Sequence, residues 1–398
     1  MRLASGGLDA ARRVLAEHFG HSRFRVHQLR VLGPLLAGRS VLAVLPTGAG
    51  KSLCYQVPAL LADGLTLVVS PLISLMQDQV GALRRRGIAA AYLNSQLDAD
   101  QRAAVEAAVL DGRIRLLYCA PERLASLIPR LQGGRARVAL LAVDEAHCIV
   151  EWGNAFRPVY RRLGEFRYRL GDPPTIALTG SATPTARAAI LSVLRLGRAE
   201  TIITSFDRPN LRFRVARVPD DRARFQALRA VVRAGADGAT LVYTPTRRIT
   251  ELVTRAFLRT SIRAAPYHAG LSASVRRHVL HAFLADRVSV IVATSAFGMG
   301  IDKPDVRRVL HWGPPRTLEA YYQEAGRAGR DGAAAECALL WRPKDLEWGA
   351  LSPEVRRYVE VRRCRRRILL EYFGEKVREC SGCDVCGLDR LGPSSTVP

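Results

Sequence analysis

The sequence predicts two α/β domains in tandem, each built on a parallel sheet, followed by a small helical module with four clustered cysteines. The chain has 398 residues, more than one hydrophobic core usually serves. Short apolar runs alternate with helical patterns, which is typical of a parallel sheet covered by helices, and the alternation restarts after residue 210. Beyond Lys344 the chain becomes rich in arginine and then in cysteine. The expected domains are therefore 1–200, 201–345 and 346–390, with an unstructured tail at 391–398.

Nine apolar runs predict the strands of the two sheets. They are 41–45, 66–69, 114–119, 138–143 and 175–178 in the first domain, and 240–243, 288–293, 306–310 and 336–341 in the second. Ahead of them, apolar residues recur at helical spacing and predict an amphipathic helix that opens the first domain. These residues are Leu8, Ala11, Val14, Leu15 and Phe19.

The charge balance points to polyanionic partners. Sixty Lys and Arg residues against 36 Asp and Glu residues give a formal charge of +24, which favours nucleic acid first and an acidic membrane surface second. Only four of these cations are lysines, and abundant arginine is also typical of a GC-rich genome, so charge alone does not establish a binding surface. No apolar run approaches the roughly 20 residues that cross a bilayer, and no secretion signal is recognisable. We therefore expect a cytoplasmic protein with no membrane partner.

A candidate phosphate-binding loop follows the first apolar run. Residues 46–52 stand between a predicted strand and a predicted helix, and their glycines would let successive N–H groups face a polyphosphate. Lys51 would reach the outer phosphates and Ser52 would ligate Mg²⁺. The other ATP-binding residues of the loop are Thr47, Gly48, Ala49 and Gly50. Leu45 stands where the full pattern has glycine, and the alternative is a chance Gly-Lys-Ser on a surface loop, which the flanking strand and helix disfavour.

Two acidic residues end the fully apolar run at 138–143. Asp144 and Glu145 would be costly at the end of a buried strand unless a cation compensated them. An ATPase needs one carboxylate for its metal ion and another for the attacking water. We therefore expect Asp144 to hold Mg²⁺, directly or through water, and Glu145 to polarise the water.

Four cysteines near the C-terminus have the spacing of zinc ligands. Fifteen residues separate Cys364 from Cys380, and Cys383 and Cys386 follow at two-residue gaps. Four such thiolates can bind Zn²⁺ tetrahedrally, and a disulfide is the less favoured alternative in a reducing compartment. The site is expected to be structural because four protein ligands leave no open position. The other cysteines lie singly in apolar surroundings and are expected to be buried; they are Cys54, Cys119, Cys148 and Cys337.

An arginine-rich run overlaps the first of these four cysteines. Residues 356–367 include seven arginines. A solvated helix face is the ordinary explanation for a charge run, but like charges repel unless an anion neutralises them. We therefore expect the run to contact nucleic-acid phosphates, through Arg362, Arg363 and Arg366.

Four segments together closely resemble the RecQ-type DNA helicases of helicase superfamily two. They are 51–56 (KSLCYQ), 70–79 (SPLISLMQDQ), 144–148 (DEAHC) and 323–332 (QEAGRAGRDG), and the resemblance covers about residues 15–387. It implies two RecA-like domains that clamp ATP between them and a 3′-to-5′ motor that couples Mg-ATP hydrolysis to movement on single-stranded DNA and duplex unwinding, in repair or recombination. The implied cofactors are ATP, Mg²⁺ and Zn²⁺. The implied location is the bacterial cytoplasm or nucleoid. The protein would be a monomer that acts on single-stranded and tailed or forked duplex DNA. A single-strand-binding protein or a repair protein would be a further partner.

The resemblance also assigns roles near the nucleotide. Gln28 would hydrogen-bond the adenine edge with support from Arg25, and His21 stands where the family has an aromatic residue that stacks on adenine. Asp302 would lie near the ribose. In the segment 323–332, Arg327 would touch the γ-phosphate and Arg330 would be the arginine finger.

DNA contacts would come from several loops. A segment similar to the family's aromatic-rich loop contains Trp152, Phe156 and Arg157, which can stack on bases or pair with a phosphate, although an ordinary core position is the alternative for the two aromatics. The family usually has His-Asp where this chain has Asn154-Ala155, so coupling between DNA and ATP hydrolysis is expected to be weaker or rewired. The other candidate contacts are Ser70, Thr246, Arg247 and His268.

The chain ends twelve residues after Cys386, whereas family members commonly continue into a winged-helix domain and a small helical domain. The resemblance therefore implies a form without those domains, either naturally short or a fragment, with modest unwinding. Two other functions stay open, a nucleic-acid-binding scaffold that uses ATP only as a switch or not at all, and an RNA helicase. The intact lysine, acidic and arginine positions disfavour the first, and the aromatic loop and cysteine cluster disfavour the second.

Overall fold

The computed structural model describes residues 7–46, 48–134, 136–151, 157–234, 238–298, 303–347, 351–377 and 379–387. Contacts within the chain divide it into two units, Met1–Ser205 and Phe206–Pro398. Each unit contains a parallel sheet with helices, and the second also contains the cysteine cluster, so the predicted tandem α/β fold is confirmed. The division falls after Ser205 rather than after residue 200, because residues 200–203 form a strand that pairs with the sheet of the first unit.

The first unit contains one seven-stranded sheet. Its strands are β1 (Val41–Val44), β2 (Leu65–Val69), β3 (Ala90–Leu93), β4 (Leu116–Cys119), β5 (Val138–Val143), β6 (Thr175–Thr179) and β7 (Glu200–Ile203). They are ordered β3-β4-β2-β5-β6-β1-β7, and each neighbouring pair is parallel. In the register around β1, Ala43 lies opposite Leu178 on one side and Ile202 on the other.

Helices connect and cover these strands. They are α1 (Gly7–Phe19), α2 (Val26–Leu36), α3 (Leu53–Leu61), α4 (Ile73–Arg85), α5 (Ala99–Leu110), α6 (Leu124–Gly133), α7 (Cys148–Glu151), α8 (Leu163–Arg169) and α9 (Pro184–Val193), with short 3₁₀ turns at Pro121–Arg123 and Pro158–Arg162. The predicted opening helix is confirmed, since α1 buries Ala11 and Leu15 on its apolar face.

The second unit contains a six-stranded parallel sheet. Its strands are β8 (Leu211–Arg217), β9 (Ala239–Tyr243), β10 (Ala264–Tyr267), β11 (Val290–Ala293), β12 (Val306–His311) and β13 (Ala335–Trp341), ordered β10-β11-β9-β12-β13-β8. Its helices are α10 (Asp221–Ala234), α11 (Arg247–Leu258), α12 (Ala273–Leu284), α13 (Leu318–Ala325), α14 (Pro353–Glu360) and α15 (Arg365–Tyr372), with a 3₁₀ turn at Pro343–Leu346. In the part of the chain that the structure describes, no helix has the length and hydropathy of a membrane span.

The nine strands predicted from apolar runs are the inner strands of the two sheets, and the four that the runs miss are the sheet edges. An inner parallel strand is buried on both faces and therefore appears as a continuous apolar run. Every residue of β1, β2 and β5 is buried, whereas β7 buries one residue in four and β8 two in seven. The edge strand β10 contains Pro266, a residue that sheets tolerate mainly at an edge.

The cysteine-rich segment covers the outer edge of β8. The backbone N–H of Asp384 donates to the Phe213 carbonyl at 3.0 Å, and the Phe213 N–H donates to the Gly382 carbonyl at 3.4 Å. The Asp384 carboxylate also accepts from the Val215 N–H at 3.1 Å and from Arg365 Nε at 3.1 Å. Because an uncovered strand edge exposes unpaired backbone groups, this docking completes the sheet of the second unit.

Candidate nucleotide, zinc and DNA sites

The loop after β1 contains two left-handed glycines and curls around the ammonium of Lys51. It leads from β1 to Ser52, which occupies the N-cap position of α3. Gly48 and Gly50 have φ angles of +82° and +73°, a left-handed conformation that favours glycine. Lys51 Nζ lies 3.3 Å from the Leu45 carbonyl and 3.5 Å from that of Pro46, so its ammonium sits inside the curl of the loop. The strand, loop and helix start predicted from the sequence are all present.

Side chains from the start of α2 hold this loop. Arg25 Nη1 donates to the Gly48 carbonyl at 2.7 Å, and Gln28 Nε2 donates to the carbonyls of Ala49 at 3.3 Å and Gly50 at 3.1 Å. His27 Nε2 lies 2.8 Å from the Ala49 carbonyl, a contact that the sequence reasoning missed because a lone histidine carries no pattern. The predicted adenine-reading residues Arg25 and Gln28 therefore contact the loop backbone.

The left-handed φ of +73° favours glycine at position 50, and the Gln28 contact adds to this preference. A Cβ atom there would lie 2.6 Å from Gln28 Nε2, well inside van der Waals distance. His21, the predicted adenine-stacking residue, is exposed just after α1. Thr47 and Asp302, the other predicted nucleotide contacts, lie outside the described residues.

The acidic pair lies at the carboxyl end of β5. Asp144 is buried and its Oδ1 accepts the backbone N–H of Glu145 at 3.0 Å, while Glu145 adopts a φ of +49°. Burial, together with the neighbouring Glu145 carboxylate, raises the pKa of Asp144 to about 7, and the positive charge of Lys51 opposes that rise. A buried carboxylate next to a half-buried one calls for positive charge. The oxygen donors of Ser52 and Asp144 suit a hard divalent cation.

A hydrogen-bond network connects the acidic pair to the end of β6. His147 Nδ1 lies 3.3 Å from Glu145 Oε2 and 3.0 Å from Thr179 Oγ1. The Thr179 hydroxyl donates to the Ser181 carbonyl at 3.0 Å and accepts the Ser181 N–H at 3.2 Å. His147 and Thr179 are both buried, so the Glu145 carboxylate lies against a polar network inside the first unit.

In the second unit, the loop after α13 carries the two predicted catalytic arginines. Arg327 is buried and its Nη1 donates to the Gly298 carbonyl at 2.7 Å. Arg330 is half-buried and follows Gly329, whose φ is +53°. The two arginines are therefore carried by one short, glycine-bent loop.

Three predicted DNA-contact residues of the loops are buried or bonded to other parts of the first or second unit. Ser70 is buried and its N–H donates to the Cys119 carbonyl at 3.2 Å, so its hydroxyl does not reach the surface. His268 is also buried, with Nε2 2.9 Å from Glu251 Oε1. Arg157 is half-buried, donates to the Pro71 carbonyl at 2.7 Å and pairs with Glu122 at 2.9 Å, so it connects two loops of the first unit. In each case the predicted side chain has partners or a position inside the protein.

Two other predicted loop contacts lie at the surface. Thr246 is exposed and caps α11 by accepting the Ile249 N–H at 3.2 Å, and Arg247 beside it is also exposed. The aromatic residues Trp152 and Phe156 lie outside the described residues. Thr246 and Arg247 therefore remain candidates for phosphate contact.

The arginine-rich run is divided between surface and interior. Arg362 is exposed, and Arg363 is half-buried with Glu371 at 2.9 Å. The prediction that Arg366 contacts DNA is wrong. Its guanidinium is buried and bonds the Asp207 carboxylate and the carbonyls of Arg208 at 2.9 Å and Leu211 at 2.6 Å. The charge run did not reveal this because composition does not tell which face of a helix is covered.

The four clustered cysteines converge as the zinc prediction requires. The Sγ atoms of Cys364, Cys380, Cys383 and Cys386 all lie within 4.8 Å of one another, and those of Cys364 and Cys383 are 4.0 Å apart. Zn–S bonds of about 2.3 Å in a tetrahedron place sulfur atoms roughly 3.8 Å apart. The donor set and its spacing therefore fit one zinc ion. The other cysteines, Cys54, Cys119, Cys148 and Cys337, are buried as predicted.

Three known family models match successive parts of the chain. Residues 25–190 match the DEAD/DEAH box helicase family, residues 223–332 match the helicase conserved C-terminal domain, and residues 351–387 match the RecQ zinc-binding domain. The last match includes all four clustered cysteines.

Individual relatives and one solved structure agree with these matches. The chain is 40% identical to the ATP-dependent DNA helicase RecQ of Haemophilus influenzae, over 94% of this chain and 63% of the relative. It is 41% identical to the protein of the same name from Bacillus subtilis, over 96% of this chain and 67% of the relative. The chain thus spans about two thirds of the length of these relatives. The structure of Mycobacterium smegmatis helicase Lhr bound to ssDNA and AMP-PNP aligns with a TM-score of 0.64 at 23% identity, covering 85% of this chain and 48% of Lhr, and supports the fold.

Replacing Cys383 with serine should reduce bound zinc from about one ion per chain to well below one, because three thiolates hold the ion less tightly than four. It should also lower the Tm of the second unit, since metal binding and folding are coupled. Elemental analysis and calorimetry measure the two effects.

The matched control is Cys337→Ser, which alters a buried cysteine of the same unit outside the cluster. Equal zinc content in both variants, or wild-type protein that contains no zinc, would contradict the assignment.

Proposed function

The chain belongs to the RecQ family of ATP-dependent helicases, and we propose that it is a DNA-stimulated ATPase that moves 3′ to 5′ on single-stranded DNA and unwinds duplex DNA. The observation that carries this proposal is that the loop at 46–52 and the acidic pair Asp144 and Glu145 follow the carboxyl ends of two nearby strands of one parallel sheet. These strands, β1 and β5, are separated only by β6. Lys51 contributes to the electrostatics of Asp144, which supports their action on one ligand.

In the proposed reaction, the first unit binds the triphosphate. Backbone N–H groups of residues 48–52 and the ammonium of Lys51 would neutralise the phosphates. Ser52 and Asp144 would hold Mg²⁺, which supplies positive charge to the β- and γ-phosphates when it is bound. Glu145 would accept a hydrogen bond from the attacking water, and His147 would keep the carboxylate oriented.

Further residues would complete the nucleotide site. Gln28, Arg25 and His21 would recognise the adenine, and Asp302 would approach the ribose. We assign to Arg327 and Arg330 the positive charge that stabilises the transferred phosphoryl group.

Exposed hydroxyl and guanidinium groups would contact the DNA backbone without reading sequence. The exposed candidates are Thr246, Arg247 and Arg362, and Arg363 is a half-buried candidate. Trp152 and Phe156 would add base stacking. We expect single-stranded and tailed or forked duplex DNA as substrates, a role in repair or recombination alongside a single-strand-binding or repair protein, a monomeric state, and a location in the bacterial cytoplasm or nucleoid.

Single-stranded DNA should stimulate ATP hydrolysis far more than RNA of the same sequence, because a DNA motor couples turnover to its own track. Phosphate release under saturating Mg-ATP, with each nucleic acid titrated separately, measures this. Equal stimulation by RNA would favour an RNA helicase, and no stimulation by either would remove the motor hypothesis in favour of a scaffold.

Replacing Lys51 with alanine should lower the kcat for ATP hydrolysis by at least about 10²-fold, as expected when one preorganised charge is removed from the transition state. Binding of single-stranded DNA, followed by fluorescence anisotropy, should change little.

Lys344→Ala is the matched control, since Lys344 is an exposed lysine in the Pro343–Leu346 turn. If Lys51→Ala retained the activity of Lys344→Ala, the loop at 46–52 would not be the phosphate site.

A further inference from the structure

Residues 206–210, at the start of the second unit, lie against the loop that carries Arg327 and Arg330. Arg208 Nη2 donates to the carbonyls of Ala328 at 3.0 Å and Gly329 at 2.8 Å, and Arg208 Nη1 donates to the Gly326 carbonyl at 3.2 Å. One guanidinium thus bonds three carbonyls of the arginine loop. Two of them flank Arg327, and the third immediately precedes Arg330.

Asn210 adds a second support to the same loop. Its Nδ2 donates to the carbonyls of Gly329 and Ala333, both at 2.9 Å. A Cβ atom at position 329 would lie 2.4 Å from Asn210 Nδ2 and 2.6 Å from the Ala333 carbonyl. Asn210 therefore packs closely against the bend at Gly329, which lies between Arg327 and Arg330.

The cysteine-rich part of the chain holds the 206–210 segment in turn. Arg366, two residues after the zinc ligand Cys364, bonds the Asp207 carboxylate and the Arg208 carbonyl. The Phe206 N–H donates to Glu375 Oε2 at 2.7 Å, and its ring stacks on Phe373 with centroids 4.7 Å apart. The Arg208 backbone is therefore held by Arg366 of the cysteine-rich part, and the Arg208 side chain in turn holds the arginine loop.

We propose that Arg208 is a positioning residue for ATP hydrolysis, which holds the backbone of the arginine loop so that Arg327 and Arg330 keep the geometry that phosphoryl transfer requires. This inference rests on the proposed function, in which those two arginines act on the transferred phosphoryl group. A guanidinium bonded to neutral carbonyls makes charge-assisted hydrogen bonds, which are stronger than neutral ones. A displacement of about 1 Å in a catalytic group can cost about 10²-fold in rate.

The test is a double-mutant cycle on the DNA-stimulated ATPase of the full chain. Arg208→Ala should lower kcat by about 10²-fold, with the KM for ATP, single-stranded DNA affinity and zinc content little changed. Arg330→Ala should lower kcat by about 10³-fold or more, as for loss of an arginine finger. In the Arg330→Ala background, adding Arg208→Ala should cost clearly less than the about 10²-fold expected in the wild type, because residues that act as a unit are strongly non-additive. The cost that remains reflects the positioning of Arg327.

Two further variants keep the test decisive. Arg208→Lys retains the charge but not the planar fork, and should give an intermediate kcat; it also replaces Arg208→Ala if that variant fails to fold. Arg222→Ala removes an exposed cation of α10 in the same unit and should leave kcat unchanged.

Wild-type kcat in Arg208→Ala or Arg208→Lys, or full additivity of Arg208→Ala with Arg330→Ala, would overturn the positioning role. Full additivity is what a purely structural role predicts, since general destabilisation costs the same in either background. Wild-type kcat in both Arg330→Ala and Arg327→Ala would instead overturn the arginine assignment in the proposed function. The two failures are therefore distinguishable.

Discussion

The two loops to which we assign the chemistry depend on hydrogen-bond donors from outside the sheets. A loop that follows a strand or a helix lies outside the backbone hydrogen bonding of that element, so its carbonyl groups need other partners. In the first unit, Arg25 and Gln28 donate to the carbonyls of residues 48–50. In the second, Arg208 donates to three carbonyls of residues 326–329. In both units the donors come from residues that precede the first strand, so each unit supports its active loop in the same way.

The same constraint accounts for glycines in both loops. Gly50 and Gly329 adopt left-handed conformations, and at each position a Cβ would collide with a supporting side-chain amide, at 2.6 Å from Gln28 Nε2 and 2.4 Å from Asn210 Nδ2. The absence of a Cβ at these positions therefore lets the supporting amides reach the loop backbone, and it also leaves room for a ligand to approach. The cysteine-rich segment extends this arrangement. It covers the edge of β8, and Arg366 holds the Asp207 carboxylate and the Arg208 carbonyl.

The sequence was sufficient for the inner strands, the phosphate loop and the cysteine cluster, because each has a physical pattern that is local in the chain. Edge strands such as β7 were missed because only one of the four residues of β7 is buried. A strand with so few buried residues does not appear in the sequence as a continuous apolar run. The DNA contacts were less predictable. Ser70 and Arg366 have suitable chemistry, but both are buried, and burial of a polar residue depends on partners distant in sequence, such as Asp207 for Arg366. The supports at Arg208 and Asn210 were missed for the same reason.

The central claim is that the chain is a directional, ATP-driven DNA motor. It is tested most directly by comparing unwinding of a 3′-tailed and a 5′-tailed duplex of identical sequence, with ATP, without ATP, and with the Lys51→Ala variant in place of the wild type. The account predicts strand separation only for the 3′-tailed duplex, only with ATP and only by the wild type. Unwinding of the 5′-tailed duplex alone, or separation that needs neither ATP nor Lys51, would contradict it.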